Sequence, residues 1–161
     1  MTIAIGESFP AGQLLRVGEN GPEAVDTADL AQGRVVVFGL PGAYTGTCSN
    51  AHIPSFIRTA DRFREKGVSR IVCVTVNDPF VTAAWSKATG AGDAGIEILA
   101  DADGSVTKAL GLSFDAPPAG LYGRSKRYAS LLRDGVVEVI DVEDSPGLCS
   151  VSAGEALLEK V

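Results

Sequence analysis

PGAYTGTCSNAHIPSF, residues 41 to 56, places Cys48 where a strand hands over to a helix. Before it runs the apolar stretch Val35 to Leu40, and after it Ile53, Phe56, Ile57, Ala60 and Phe63 recur at helical spacing until Gly67. A junction of that kind activates a thiol. Free backbone N–H groups and the positive end of a helix dipole favour an anion there, and the thiolate is the form of cysteine that reacts. Thr45 and Thr47 add hydroxyl donors, and Pro41-Gly42 makes a turn that fixes the loop. The commoner fate of a free cysteine is burial as a small apolar side chain. Such a residue needs neither two threonines nor a turn before a helix, so the stretch reads as reactive. Pro54, lying inside the helical pattern, would free one carbonyl and predicts a kink about one turn after Cys48.

Outward from this junction the chain reads as α/β. Arg34 to Leu40 is a strand buried on both faces, since Val35 to Phe38 are all apolar. Ser69 to Val76 is a second strand. Asp78 as N-cap and Pro79 at the first position open a helix that runs to Thr89 and stops at Gly90. Ile96 to Ala100 is a third strand, and Asp103-Gly104 opens a brief helix toward Leu110. Asp134-Gly135, between Ser130 to Arg133 and Val136 to Ile140, is the strongest hairpin signal. Near the N-terminus, Gln13 to Asp26 folds about Glu19-Asn20-Gly21-Pro22 as an edge hairpin, and Thr27 to Gln32 forms one helical turn. A closing helix is expected over Ser152 to Lys160, with Ser152 and Glu155 as a capping box. Ser113 to Lys126 is too rich in Pro and Gly for a regular element and is read as a long loop. Its apolar members Phe114, Leu121 and Tyr122 fit an interface or an ordinary surface loop equally well.

With 161 residues and 45% apolar content, the chain is expected to form one domain spanning 1–161 with a sizeable core. A net charge of −6 argues against nucleic acid or an anionic membrane as partner, because the phosphate term is repulsive on average. No run approaches the roughly 18 apolar residues of a membrane span. Met1 to Pro10 has neither a basic nor an apolar leader region, so a cytoplasmic protein is expected. Cys48, Cys73 and Cys149 are too widely spaced for a disulfide framework or a zinc CxxC pair. An odd count in such a compartment points to redox chemistry or burial.

PGAYTGTC followed by SxxHxPxF resembles the peroxiredoxins, specifically the Prx5-like subgroup, at Pro41, Thr45, Cys48, His52, Pro54 and Phe56. VTVNDPFV (74–81), GLSFD (111–115) and SKRYASLLRDGVV (125–137) extend the resemblance over nearly the whole chain. Two departures stand out. Gly46 replaces a proline usual in the family and loosens the loop, and Tyr44 stands where Phe is common. The resemblance implies a thioredoxin-like fold, the peroxiredoxin variant, with a central mixed sheet flanked by helices and an N-terminal hairpin. It also implies a homodimer. The function it implies is reduction of hydrogen peroxide and alkyl hydroperoxides through a Cys48 sulfenic acid, without a metal or organic cofactor. Thioredoxin is the expected reductant, with glutathione and glutaredoxin as the alternative.

A thiolate in a partly dry pocket needs a fixed cation, because burial alone disfavours the charge. Spacing cannot choose among 14 Lys and Arg residues; the resemblance selects Arg127, whose counterpart in the family contacts the reactive cysteine. Thr45 is read as a partner of the thiolate and peroxide, with helix capping as its plainer role. Pro41 is read as a shield against water or simply a turn proline, and Thr47 as a cap or spacer. His52, four residues after Cys48, is a base, a metal ligand or, preferred here, a structural support of the loop; no other histidine exists to complete a metal site. Cys73 reads as core. Cys149, in Gly147-Leu148-Cys149-Ser150, resembles the resolving cysteine of the subgroup in a setting one residue shorter. To resolve, it must approach Cys48 to within about 7 Å between Cα atoms, which requires local unfolding. Two other classes use the same fold or residues. A disulfide oxidoreductase would carry CxxC, but position 51 is Ala and position 45 is Thr. A peroxide-sensing redox protein would use the same Cys48.

Overall fold

Three consecutive parallel strands make the centre of the sheet because helices cover both crossovers. The computed structural model describes residues 1–161. β1 (Gln13–Gly18), β2 (Gly21–Asp26), β3 (Arg34–Leu40), β4 (Val68–Thr75), β5 (Ile96–Ala100), β8 (Tyr128–Arg133) and β9 (Val136–Val142) form one sheet in the order β2-β1-β5-β4-β3-β8-β9. β3, β4 and β5 are parallel, while β8 runs antiparallel to β3 and β1 antiparallel to β5, so the sheet is mixed. On one face pack α1 (Ile53–Glu65), α2 (Pro79–Thr89) and α4 (Gly154–Leu158), enclosing Phe38, Cys48, Phe56, Phe63, Cys73, Trp85 and Leu157. On the other, Val35, Val37, Val72, Val74 and Tyr128 cluster with Ile3, Leu30 and Val106 of α3 (Ser105–Ala109). No helix is long and apolar enough to cross a membrane.

The local signals act as their chemistry dictates. Asp78 Oδ1 accepts from the Val81 amide at 2.9 Å and caps α2, which ends at left-handed Gly90. Asp134 and Gly135 both take positive φ (49° and 82°), as a two-residue hairpin turn demands. Gly39, in the middle of the sheet, lies under the Tyr128 ring; a Cβ there would meet Tyr128 Cε1 at 2.2 Å.

Two expectations are corrected and a third is refined. Residues 113–126 are not an irregular loop: β6 (Ser113–Ala116) and β7 (Leu121–Ser125) pair antiparallel around a 3₁₀ turn at Pro117–Ala119. The Pro-Gly cluster is confined to that turn, and Asp115 Oδ1 ties across it to the Gly123 amide at 2.6 Å. Of the apolar members, only Tyr122 is exposed; Phe114 and Leu121 are half-buried. The last helix is shorter than expected and lacks the capping box. Ser152 Oγ donates to Glu143 Oε2 at 2.7 Å, and Glu155 pairs with Arg58 at 2.8 Å, so neither side chain is left to cap. Finally, the irregularity expected about one turn after Cys48 is a wide π-helical turn, Cys48–His52, in which the Ile53 amide reaches back to the Cys48 carbonyl; helical backbone runs through it from residue 46 into α1, so Pro54 lies inside the run and supplies no donor to it.

Candidate active site

β3 delivers the chain to Pro41, the loop Gly42 to Thr47 turns it over the sheet, and the π turn begins at Cys48. Two side chains brace this loop from outside. Asn77 Oδ1 accepts from the Ala43 amide at 3.0 Å and from Thr75 Oγ1 at 2.7 Å, and Arg124 Nη1 donates to the Pro41 carbonyl at 3.2 Å. Gly42 is required for that approach, since a Cβ would lie 2.4 Å from Arg124 Nη1. Pro41 is buried. The Ser49 amide donates to the Thr45 carbonyl at 3.0 Å, and Trp85 Nε1 donates to Ser49 Oγ at 3.0 Å, pinning the turn to α2.

Cys48 is wholly buried, and Arg127, between β7 and β8, reaches it from the far side of β3. Arg127 Nη2 donates to Cys48 Sγ at 3.2 Å and to the Pro146 carbonyl at 3.0 Å, while Nη1 donates to His52 Nδ1 at 3.0 Å. A guanidinium can only donate, so His52 Nδ1 is an acceptor and the ring proton lies on Nε2, which donates to the Ser152 carbonyl at 3.0 Å. Burial, aided by the Arg127 charge, pushes the His52 pKa down to about 3. His52 is therefore neutral with both nitrogens engaged, which suits a support of Arg127 and not a base or ligand. Arg127 Nε is buried without a hydrogen-bond partner in the protein. A cavity of about 320 Å³, lined by Phe114, Lys126, Glu143, Ser145 and Pro146, opens beside Arg127.

The remaining expected residues are placed as follows. Thr45 Oγ1 donates to the Gly42 carbonyl at 2.7 Å, so its proton braces the loop and does not lie on sulfur; its lone pairs remain as acceptors. Thr47 makes no side-chain cap; its hydroxyl reaches the Gly147 carbonyl at 3.3 Å. Cys73 is buried beneath the site, and burial, reinforced by Cys48, pushes its thiol well up. Cys149 is half-buried and free; burial raises its thiol, with Arg127 acting the other way. Asn77, Arg124 and Glu143 were missed by sequence reasoning. Nothing in sequence spacing links Asn77 or Arg124 to residue 41 or 43. No three His, Cys, Asp or Glu side chains are grouped to hold a metal ion.

Comparison with known proteins gives the same reading of the fold and family. Residues 4–158 match the Redoxin family. Peroxiredoxin-2C of Oryza sativa is 43% identical over 159 residues, covering 98% of this chain and 97% of that protein. Reduced Prx3 of Vibrio vulnificus, in a crystal structure with hydrogen peroxide, superposes with a TM-score of 0.90 at 42% identity, covering 99% of both chains. Peroxiredoxin 5 of Alvinella pompejana superposes with a TM-score of 0.84 at 31% identity over 98% of this chain and 96% of that one. The mixed seven-stranded sheet is thus the thioredoxin-like sheet of these proteins, and the chain belongs to the redoxin family as a Prx5-like peroxiredoxin.

Proposed function

We propose that this thiol-dependent peroxidase reduces hydrogen peroxide and alkyl hydroperoxides at Cys48. The observation that carries the assignment is the 3.2 Å contact between Arg127 Nη2 and Cys48 Sγ, both residues buried and Cys48 opening a helical turn. A fixed guanidinium stabilises a thiolate that burial alone would suppress. The sulfur attacks the terminal oxygen of ROOH; an S–O bond forms, the O–O bond breaks, and the departing alkoxide takes up a proton to leave as ROH. Cys48 is left as a sulfenic acid. Arg127, with its unpartnered Nε, stabilises the developing oxyanion, and the free lone pairs of Thr45 Oγ1 accept the peroxide O–H. Pro41, buried and lacking an N–H, keeps water from the sulfur.

Cys149 is the resolving thiol in this proposal. Its sulfur displaces the sulfenic hydroxyl, which leaves as water, and the resulting disulfide is reduced by the dithiol of thioredoxin. A one-cysteine cycle drawing on glutathione and glutaredoxin is the second reading; it needs no approach of the half-buried Cys149 to the buried Cys48. Treating reduced protein with one equivalent of hydrogen peroxide, followed by intact mass and a peptide map, separates them. Loss of two hydrogens with Cys48 joined to Cys149 supports the first, a gain of one oxygen on Cys48 the second, and an unchanged Cys48 refutes the peroxidase assignment of this residue. The protein acts as a homodimer and in the cytoplasm. Exposed Tyr44, Phe80 and Tyr122, on segments that brace the same loop, support the dimer; light scattering on wild type and Phe80→Asp tests it. The reduced, odd cysteine set suits that compartment, and fractionation of cells tests it.

A further inference from the structure

Four donors converge on one carboxylate behind the arginine that touches Cys48. Glu143 is only 6% exposed. Its Oε2 accepts from the Ser150 amide at 2.8 Å, the Ser152 amide at 3.0 Å and the Ser152 hydroxyl at 2.7 Å; Oε1 accepts from the Ser150 hydroxyl at 3.2 Å. Its own amide donates to the Arg127 carbonyl at 2.9 Å. The segment from Asp144 to Ser152, which contains Cys149, is thereby curled around one side chain. Burial pushes the Glu143 carboxyl up, but the bonds from Ser152 and Ser150 outweigh it and hold it below the ordinary carboxylate value.

The curl has two ends that meet the site. At one, the Ser152 carbonyl accepts from His52 Nε2 and so fixes the tautomer whose Nδ1 receives Arg127. At the other, the Pro146 carbonyl accepts from the same Arg127 nitrogen that donates to Cys48 Sγ. Both supports of the guanidinium thus hang on the shape of this segment. We propose that Glu143 is a positioning residue of the peroxidase, its carboxylate holding the segment so that Arg127 stays oriented on Cys48 and Cys149 stays docked. The inference rests on the reading of Cys48 and Arg127 as the reacting pair.

An acceptor-only group is what the position needs. The amide of Glu143→Gln would turn a donor toward four donors, while keeping size and shape. The test uses three readouts: the second-order rate constant with hydrogen peroxide and the pH profile of Cys48 alkylation by iodoacetamide, both in a Cys149→Ser background, and disulfide-reagent labelling of Cys149 in a Cys48→Ser background. Glu143→Gln is expected to slow the peroxide reaction by about tenfold or more, to move the alkylation profile to higher pH and to speed labelling of Cys149. Glu143→Asp restores part of each. Ser150→Ala/Ser152→Ala, which keeps the carboxylate and the backbone donors, shifts all three in the same direction by less, and carries the test if Glu143→Gln does not fold. A folded variant with parental rate, profile and labelling, whatever its thermal stability, overturns the proposal. A Cys149→Ser parent that does not react with peroxide instead overturns the reading of Cys48.

Discussion

Lowering the pH from about 7 to 5 is expected to destabilise the protein through a single residue. His52 is the only histidine, is wholly buried, and has its pKa pushed from 6.5 to about 3 by burial and Arg127. Between those values the unfolded chain binds the proton and the native chain does not. The stabilisation is therefore fully present above the unfolded value and is lost as pH falls toward 3. Proton linkage for one such group removes about 2 kcal/mol between pH 7 and 5. With a urea dependence of about 2 kcal/mol per molar, the unfolding midpoint falls by about 1 M. Glu143 and Glu155, also held below their ordinary values, contribute with the same sign but mainly at lower pH. The assay is urea unfolding at both pH values in a Cys48→Ser background, so that oxidation of that thiol does not enter. His52→Gln in that background is expected to show a flat midpoint. An unchanged midpoint in the parent, or an equal fall in the glutamine variant, would refute the neutral, doubly engaged histidine.

Arg127→Lys cannot serve Cys48, His52 and Pro146 at once with a single ammonium, and loss of one charge-assisted hydrogen bond to sulfur is expected to slow peroxide reduction by about ten- to a hundredfold; a stopped-flow rate within twofold of wild type would count against the arrangement. Trp85, the only tryptophan, is tied to Ser49 beside Cys48, so its emission is expected to change when peroxide is added and to stay unchanged in Cys48→Ser. Gly39→Ala forces a methyl group into the Tyr128 ring and is expected to cost about 3 kcal/mol, read as a lower urea midpoint with the peroxide rate of the folded fraction retained.

Elements whose signals are local could be read in advance. Asp78, Pro79 and Gly90 bound α2, and Asp134-Gly135 turns β8 into β9, because caps and turns act within a few residues of their cause. The π turn was invisible: the apolar period that reveals α1 starts only at Ile53, and Cys48 to His52 carry no such pattern. Of the site, the junction at Cys48 was legible from local signals, whereas Arg127 was legible only through resemblance. Arg127 lies 79 residues from Cys48, and the Ser152 carbonyl 100 residues from His52, separations that no spacing argument spans. Glu143 is one of 20 acidic residues, and nothing local marks it as one of the two that are buried. The Ser152 and Glu155 pair satisfied the capping pattern in sequence, yet competing partners, Glu143 and Arg58, took both side chains.

In the proposed two-cysteine cycle, the same geometry says which side of the site gives way for Cys149 to approach Cys48. The π turn is anchored in the core: Cys48 and His52 are fully buried, the His52 ring packs tilted against the stacked Phe38 and Phe56 at 5.1 and 5.6 Å, and Trp85 holds Ser49. Unwinding it exposes apolar surface. The segment from Asp144 to Val151 is built differently, with Leu148 and Val151 at 49% and 44% exposure and its attachment made of hydrogen bonds to Glu143, Arg127 and Thr47. Exchanging those bonds for water costs about 1 kcal/mol each, and little apolar burial is lost. Opening therefore starts at the Cys149 side. Because one of the bonds released is the Pro146 contact of Arg127, departure of the segment also removes one of the two supports of the guanidinium, on the nitrogen that faces Cys48 Sγ.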